Sequence, residues 1–159
     1  MLIRDLQAQS FKHGIIAWIG VRPSRGSDLV ALDKVAVIEN KGLSGDHYSN
    51  PGGPRQVTLI QAEHLASVAS FLGIDLVDPR QTRRNIVISG FNLLSLKGQM
   101  FFIGDCQLKY TGDCHPCSRM EKNLGTGGYH AMRGLGGITA AVVKGGTIKV
   151  GDSLRVANL

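Results

Sequence analysis

The chain has 159 residues, 43% of them apolar and 19% charged, a balance that suits one compact domain over residues 1–159 with a core large enough to need no disulfide staples. No stretch approaches the roughly 18 continuous apolar residues of a membrane span, and the opening M-L-I-R-D-L-Q-A-Q-S lacks the marks of a secretory signal, so a cytoplasmic, reducing home with free thiols is expected. The net charge of +6 favours an anionic partner, but the basic residues are scattered and aromatics are few, which makes nucleic acid the minority reading.

Glycines, many of them paired, cut the sequence into short apolar runs, the rhythm of a closed or nearly closed β architecture. Gly14 to Val21, Lys34 to Glu39 and Gln56 to Ile60 read as strands. Ala62 to Leu72 carries Leu65, Val68, Ala69 and Leu72 at helical spacing, and Gly73 supplies the stop. Pro79 opens a brief turn that leads into a strand from Asn85 to Ser89. Met100 to Ile103 and Cys106 to Thr111 follow as strands, and in the second, alternation puts Cys106, Leu108 and Tyr110 on one face, making Cys106 a core residue. A second short helix begins at Ser118. The chain closes with strands over Ile138 to Val143, Thr147 to Val150 and Leu154 to Val156. Ile103-Gly104-Asp105, Val150-Gly151-Asp152 and Lys144-Gly145-Gly146 each have the chemistry of a tight hairpin.

Thr111 to Arg119, T-G-D-C-H-P-C-S-R, concentrates chemistry. Cys114-x2-Cys117 admits a thioredoxin-like dithiol, yet glycine-broken strands follow where a βαβ setting is needed. A zinc site built on Cys114, Cys117 and His130 lacks a fourth ligand at the expected spacing, and Cys106 or His47 would have to supply it. Both thiols can also be small buried hydrophobes. Against that stand the polar neighbours Asp113, His115, Ser118 and Arg119, which are costly to bury without partners. A loop stiffened by Pro116 would hold one thiol in the open near Arg119. Cys117, at the expected helix start, is the better candidate.

Other polar groups open or close strands. Gly42-Leu-Ser-Gly45-Asp46-His47 is a glycine-hinged loop carrying a carboxylate and an imidazole, or an ordinary turn in which Asp46 bonds its own backbone. Arg55-Gln56 and Arg83-Arg84-Asn85 each open a strand with groups suited to anions or amides. On an extended segment Arg83 and Arg84 point to opposite faces, so one of them at most, with Arg84 favoured, would face a given pocket. Gly125 to Gly137 is the most flexible stretch. It has no Gly-Lys-Ser/Thr element, so it reads either as a surface loop or as a backbone cradle for phosphate near Arg133.

Taken in order, five of these segments resemble the MOSC domain, the module named for the C-terminal part of molybdenum-cofactor sulfurases. They are Gly42 to His47, Arg55 to Ile60, Arg83 to Val87, Pro116 to Arg119 and Gly145 to Asp152, and Ala131 to Gly137 resembles the short stand-alone bacterial members. The resemblance implies a mainly β fold, a closed barrel of the pyruvate-kinase-barrel-like kind with a few short helices. It implies the molybdenum cofactor (molybdopterin) as ligand, with Cys117 as metal ligand or persulfide carrier. Asp46, His47, Arg55, Gln56, Arg83, Arg84, Asn85, Arg119 and Arg133 are the implied cofactor-binding residues. The implied activity is reduction of N-hydroxylated compounds or sulfur transfer, with a non-catalytic pterin carrier as the alternative; pyridoxal phosphate is among the family's wider associations. Reducing members generally carry an additional N-terminal barrel or a C-terminal extension that this sequence does not show. A module working with an electron-donor or cofactor-biosynthesis protein is therefore expected.

Overall fold

The computed structural model describes residues 1–47 and 49–156. In chain order the elements are α1 (Ile3–Gln7), β1 (Gly14–Val21), β2 (Val30–Ala31), β3 (Lys34–Ile38), β4 (Gly42–Leu43), β5 (Val57–Gln61), α2 (Ala62–Leu72), α3 (Pro79–Thr82) and β6 (Ile86–Ser89). A 3₁₀ turn over Leu93–Leu96 leads to β7 (Met100–Ile103), β8 (Cys106–Asp113), α4 (Ser118–Leu124), α5 (Gly128–Met132), β9 (Ile138–Lys144), β10 (Gly146–Lys149) and β11 (Ser153–Val156).

Seven strands close into a barrel in the order β11-β7-β8-β9-β5-β6-β1, and β1 returns to β11 through Gly14 opposite Leu154. All neighbours in it are antiparallel except β5 and β6, whose crossover is made by α2 and α3. β2 extends the sheet beyond β1, and β10-β3-β4 form a separate three-stranded sheet. The expected mainly β, closed-barrel architecture is thus the observed one. Among the described residues no helix is long and apolar enough to cross a membrane.

The burial pattern explains why β5 reads as a continuous run. Val57 and Leu59 belong to the barrel core with Ile19, Ile86, Ile138 and Leu154. Ile60 faces the other way, into a second cluster with Val68 of α2, Val77, Val87, Met120 and Met132. A strand covered on both faces has no solvent side on which to alternate. Cys106 and Leu108 are buried in the barrel and Tyr110 packs partly against it, as the alternation in β8 predicts.

Three expectations need correction. Ile103-Gly104-Asp105 does join a hairpin, β7 to β8, but the other two glycine turns do not. β10 pairs with β3, whereas β9 and β11 belong to the barrel, so Lys144-Gly145-Gly146 and Val150-Gly151-Asp152 carry the chain between sheets. Second, α5 lies inside the stretch that reads as a flexible loop. Its start is held by Glu121, whose carboxylate accepts from the Gly127 amide at 2.8 and 3.0 Å. Gly128 lets α5 lie against α4, since a Cβ there would come within 2.6 Å of the Met120 carbonyl oxygen.

The third correction concerns Arg83 and Arg84. β6 starts only at Ile86, and Arg83 ends α3 in the left-handed region at φ 59°. Asp78 and Gln81 close a reciprocal cap around Pro79, which favours one helical turn. The chain leaves that turn through Arg83, so the two arginines are not on an extended segment.

Candidate functional site

Cys117 is the N-terminal cap residue of α4 and is exposed, whereas Cys114 and Cys106 are buried. Three features fix this loop. The Cys114 amide donates to the Gly137 carbonyl at 2.8 Å, and Pro116 stiffens the turn. Gly136 passes so close that a Cβ there would stand 2.0 Å from the Cys114 carbonyl oxygen, a contact that only glycine allows.

The thiol of Cys117 opens into a cleft of about 410 Å³ lined by Arg22, Arg55, Arg83, Arg84 and Arg119, with no carboxylate among the described residues of its wall. Arg22 is offset from behind by Asp46, and the other four guanidinium groups, with no acid among the described lining residues, make a positive cavity. Arg84 belongs to its frame. It is buried and donates through Nε to the Gly136 carbonyl at 2.7 Å, through Nη1 to that of Thr82 at 2.9 Å and through Nη2 to that of Cys114 at 3.2 Å. One side chain thus ties the α3 turn, the cysteine loop and the glycine loop together. Burial lowers its pKa from the ordinary arginine value, and Arg55 and Arg22 push the same way against Cys114 and Cys117. A guanidinium still keeps its charge in such a place.

Arg22 escaped the reading of the sequence. It follows β1 directly, and its Nε and Nη2 meet the two carboxylate oxygens of Asp46 at 3.3 Å each. Asp46 also accepts from the Asn85 side chain at 3.2 Å. Asn85 in turn accepts from the Thr58 amide at 3.0 Å and donates to the Gly20 carbonyl at 3.1 Å. The Arg-Pro pair after β1 was the one available signal, and it carries no information about a partner 24 residues away.

Of the residues expected to meet a ligand, Cys117, Arg55, Arg83, Arg84 and Arg119 come together in the cleft. Asp46 and Asn85 form the layer behind it. Gln56 is buried elsewhere: its side chain donates to Asn40 Oδ1 and the Gly53 carbonyl and accepts from the Val142 amide. His47 and Arg133 are exposed and outside the lining. The expectation that only one of Arg83 and Arg84 would face a pocket fails, because the left-handed turn at Arg83 lets both line the same cleft. Among the described residues the side chains of Arg55 and Arg119 make no hydrogen bond or ion pair, so their donors are uncommitted.

A metal cofactor can be tested against this donor set. Among the described residues no group of three or more His, Cys, Asp or Glu could hold a metal ion, so the zinc spacing of Cys114, Cys117 and His130 is not gathered into a site. One exposed thiol beside arginines does fit a metal that brings its other ligands and an anionic tail with it.

Fold and cleft together define a β-barrel protein with one open thiol in a cationic cavity. Residues 45–155 match the MOSC domain, and the chain belongs to the MOSC domain family. Among solved structures it is similar to the YuaD protein from Bacillus subtilis, at 19% identity and a TM-score of 0.77 over 90% of this chain and 96% of that one. It is similar also to YiiM from Geobacillus stearothermophilus, at 18% identity and a TM-score of 0.75 over 91% and 75% of the two chains. YiiM from Escherichia coli gives 18% identity and 0.71 over 93% and 71%. At these identities the likeness is one of fold. No curated protein matches the chain.

Proposed function

We propose that the chain binds the molybdenum cofactor, with Cys117 as the soft thiolate ligand and the arginines of the cleft holding the cofactor's phosphate. The observation that carries this reading is the meeting of the exposed Cys117 with five arginines and, among the described lining residues, no acid. When bound, the cofactor supplies the redox chemistry; the chain's own residues bind, orient and neutralise charge. Arg55 and Arg119 are the contacts for an incoming anion. Arg84 and Arg22 hold the loops that carry those contacts.

Metal analysis of protein co-produced with a cofactor pathway, together with pterin fluorescence after oxidation, tests the reading. Native protein should retain both metal and pterin, and Cys117→Ser should lose the metal while keeping its fold. Cys114→Ser should matter less to the metal, since that thiol is buried. Absence of both metal and pterin from native protein would sink the proposal. A pure carrier would bind cofactor without reducing hydroxylamine-type substrates, and turnover separates it from a reductase. The exposure of Cys117 favours one second reading, a sulfur carrier reached by a donor protein. Incubation with a donor protein that carries a cysteine persulfide, whose outer sulfur passes to the Cys117 thiolate and leaves the donor as a thiol, should then add the mass of one sulfur atom to the Cys117 peptide and to no other.

A further inference from the structure

Away from the arginine cleft, α1 is a helix without a covered face. None of its residues is buried, and Leu2, Ile3 and Leu6, which share one side at helical spacing, stand exposed with Phe11 beyond the helix end. The Gln99 side chain donates to the Gln7 carbonyl at 3.2 Å, which tethers α1 to the segment before β7 and leaves its apolar side outward. Asp5 is engaged at the helix start, where it accepts from the Leu2 amide at 3.1 Å. Among the described residues the side chain of Arg4 makes no hydrogen bond or ion pair.

A groove of about 320 Å³ lies between α2, β1 and the segment after α2, lined by Trp18, Leu65, Ala66, Leu76 and Val87 with Asp75 in its wall. It is roughly ten times the volume of a water, which makes it a place for side chains. β1 slips its register against β6 between Ile16 and Trp18. This bulge lets the neighbours Ala17 and Trp18 line the same groove, where a regular strand would send them to opposite faces. Gly20 seats the indole, since a Cβ there would come within 2.1 Å of the ring. Ile74 and Leu76 are exposed beside Asp75, so apolar surface continues past the rim. Among the described residues the Asp75 carboxylate makes no hydrogen bond or ion pair, and α1 of the same chain does not line the groove.

One sequence thus carries an apolar helix with an uncommitted cation and an apolar groove with an uncommitted anion. We propose that the groove receives the α1 segment of a second copy of the chain, the Leu2 to Leu6 side entering against Trp18 and Leu65 and Arg4 reaching Asp75. An amphipathic helix laid in an apolar groove is a recurrent mode of recognition. Each copy has both halves, so a two-fold pair makes the contact twice.

The test measures the mass of the native full chain by sedimentation velocity across a wide range of concentration, with the emission of Trp18, the chain's only tryptophan, followed in parallel. The mass should rise toward that of a pair, and the emission should move to the blue as the indole is covered. Ile3→Asp in the segment and Ala66→Lys in the groove should each weaken association by more than about tenfold, because each places a charge in an apolar contact. Both positions are exposed, and circular dichroism with the iodoacetamide alkylation rate of Cys117 checks that the fold is kept; Leu76→Asp replaces any groove variant that loses it. A mixture of Ile3→Asp and Ala66→Lys retains one intact groove and one intact segment, and should form mixed pairs that neither variant forms alone. Sensitivity to Ile3→Asp only would mean that segments pair with each other, and sensitivity to the groove variant only that grooves do; either result overturns the proposal. A chain that stays monomeric throughout overturns it as well, including one that binds lipid vesicles through α1.

Discussion

Two polar regions sit back to back at one end of the barrel, and they are built on opposite terms. In the inner one, Arg22, Asp46, Asn85 and Thr58 are buried and bonded to one another. In the outer one, Arg55, Arg119 and Cys117 are exposed around a cavity. Among the described residues no buried side-chain polar atom lacks a partner, so the polar groups of the inner region hold one another. The difference teaches that polar residues clustered in a family's motifs are used in two ways: some fix the backbone, and others stand exposed at the cleft. Arg84 lines the cleft and yet belongs to the fixing kind, since its donors are taken by three carbonyls.

The comparison breaks most visibly at Asp46. Asp46→Ala leaves the buried Arg22 charge unpaired and removes an acceptor from Asn85, and it should cost about 3–5 kcal/mol in chemical denaturation. A loss under about 1 kcal/mol would mean that the inner region is not a scaffold. Arg84→Met should come next, at about 2–3 kcal/mol, because three carbonyls lose their donor. Its alkylation rate at Cys117 should also change, since the cysteine loop loses its anchor. Arg84→Lys should rescue little, because an ammonium cannot span three acceptors in the plane of a fork.

Arg55→Ala and Arg119→Ala should do the reverse. Stability should move by less than about 0.5 kcal/mol, while the protection that inorganic pyrophosphate gives Cys117 against iodoacetamide weakens several-fold and more steeply at low salt. Large stability losses there would erase the distinction between the two regions.

The smallest effect concerns pH. Partial burial raises the pKa of Tyr110, and its hydrogen bond to Asp113 adds to this, pushing it up to about 12. The unfolded phenol ionises near 10. The folded state therefore keeps a proton that the unfolded state gives up, and Tyr110's contribution is full below about pH 10 and is lost as pH rises through about 12. Absorbance titration of phenolate should show one late tyrosine, and Asp113→Asn should bring its midpoint down.

Much of the fold was legible in the chain. Strand positions along β1, β7, β8 and β9, the helix α2 and the burial of Cys106 follow from local periodicity, because a strand's alternation and a helix's stripe are written in neighbouring residues. The exposure of Cys117 was legible too, from a proline and a helix start. The partner of a turn was not. Val150-Gly151-Asp152 has the same local chemistry as Ile103-Gly104-Asp105, and only the competition among distant strands sends one between sheets and the other into a hairpin.

By itself, then, the sequence determined which residues are apolar, where the chain must turn and which thiol stands in the open, since these depend on neighbours a few positions apart. Only the tertiary structure decided which polar side chains spend their hydrogen bonds inside. Asp46 meets Arg22 across 24 residues, and Arg84 meets Gly136 across 52. Such pairings are set by barrel closure, which brings the ends of β1, β5 and β6 and the cysteine loop to one rim, and no local pattern encodes that meeting.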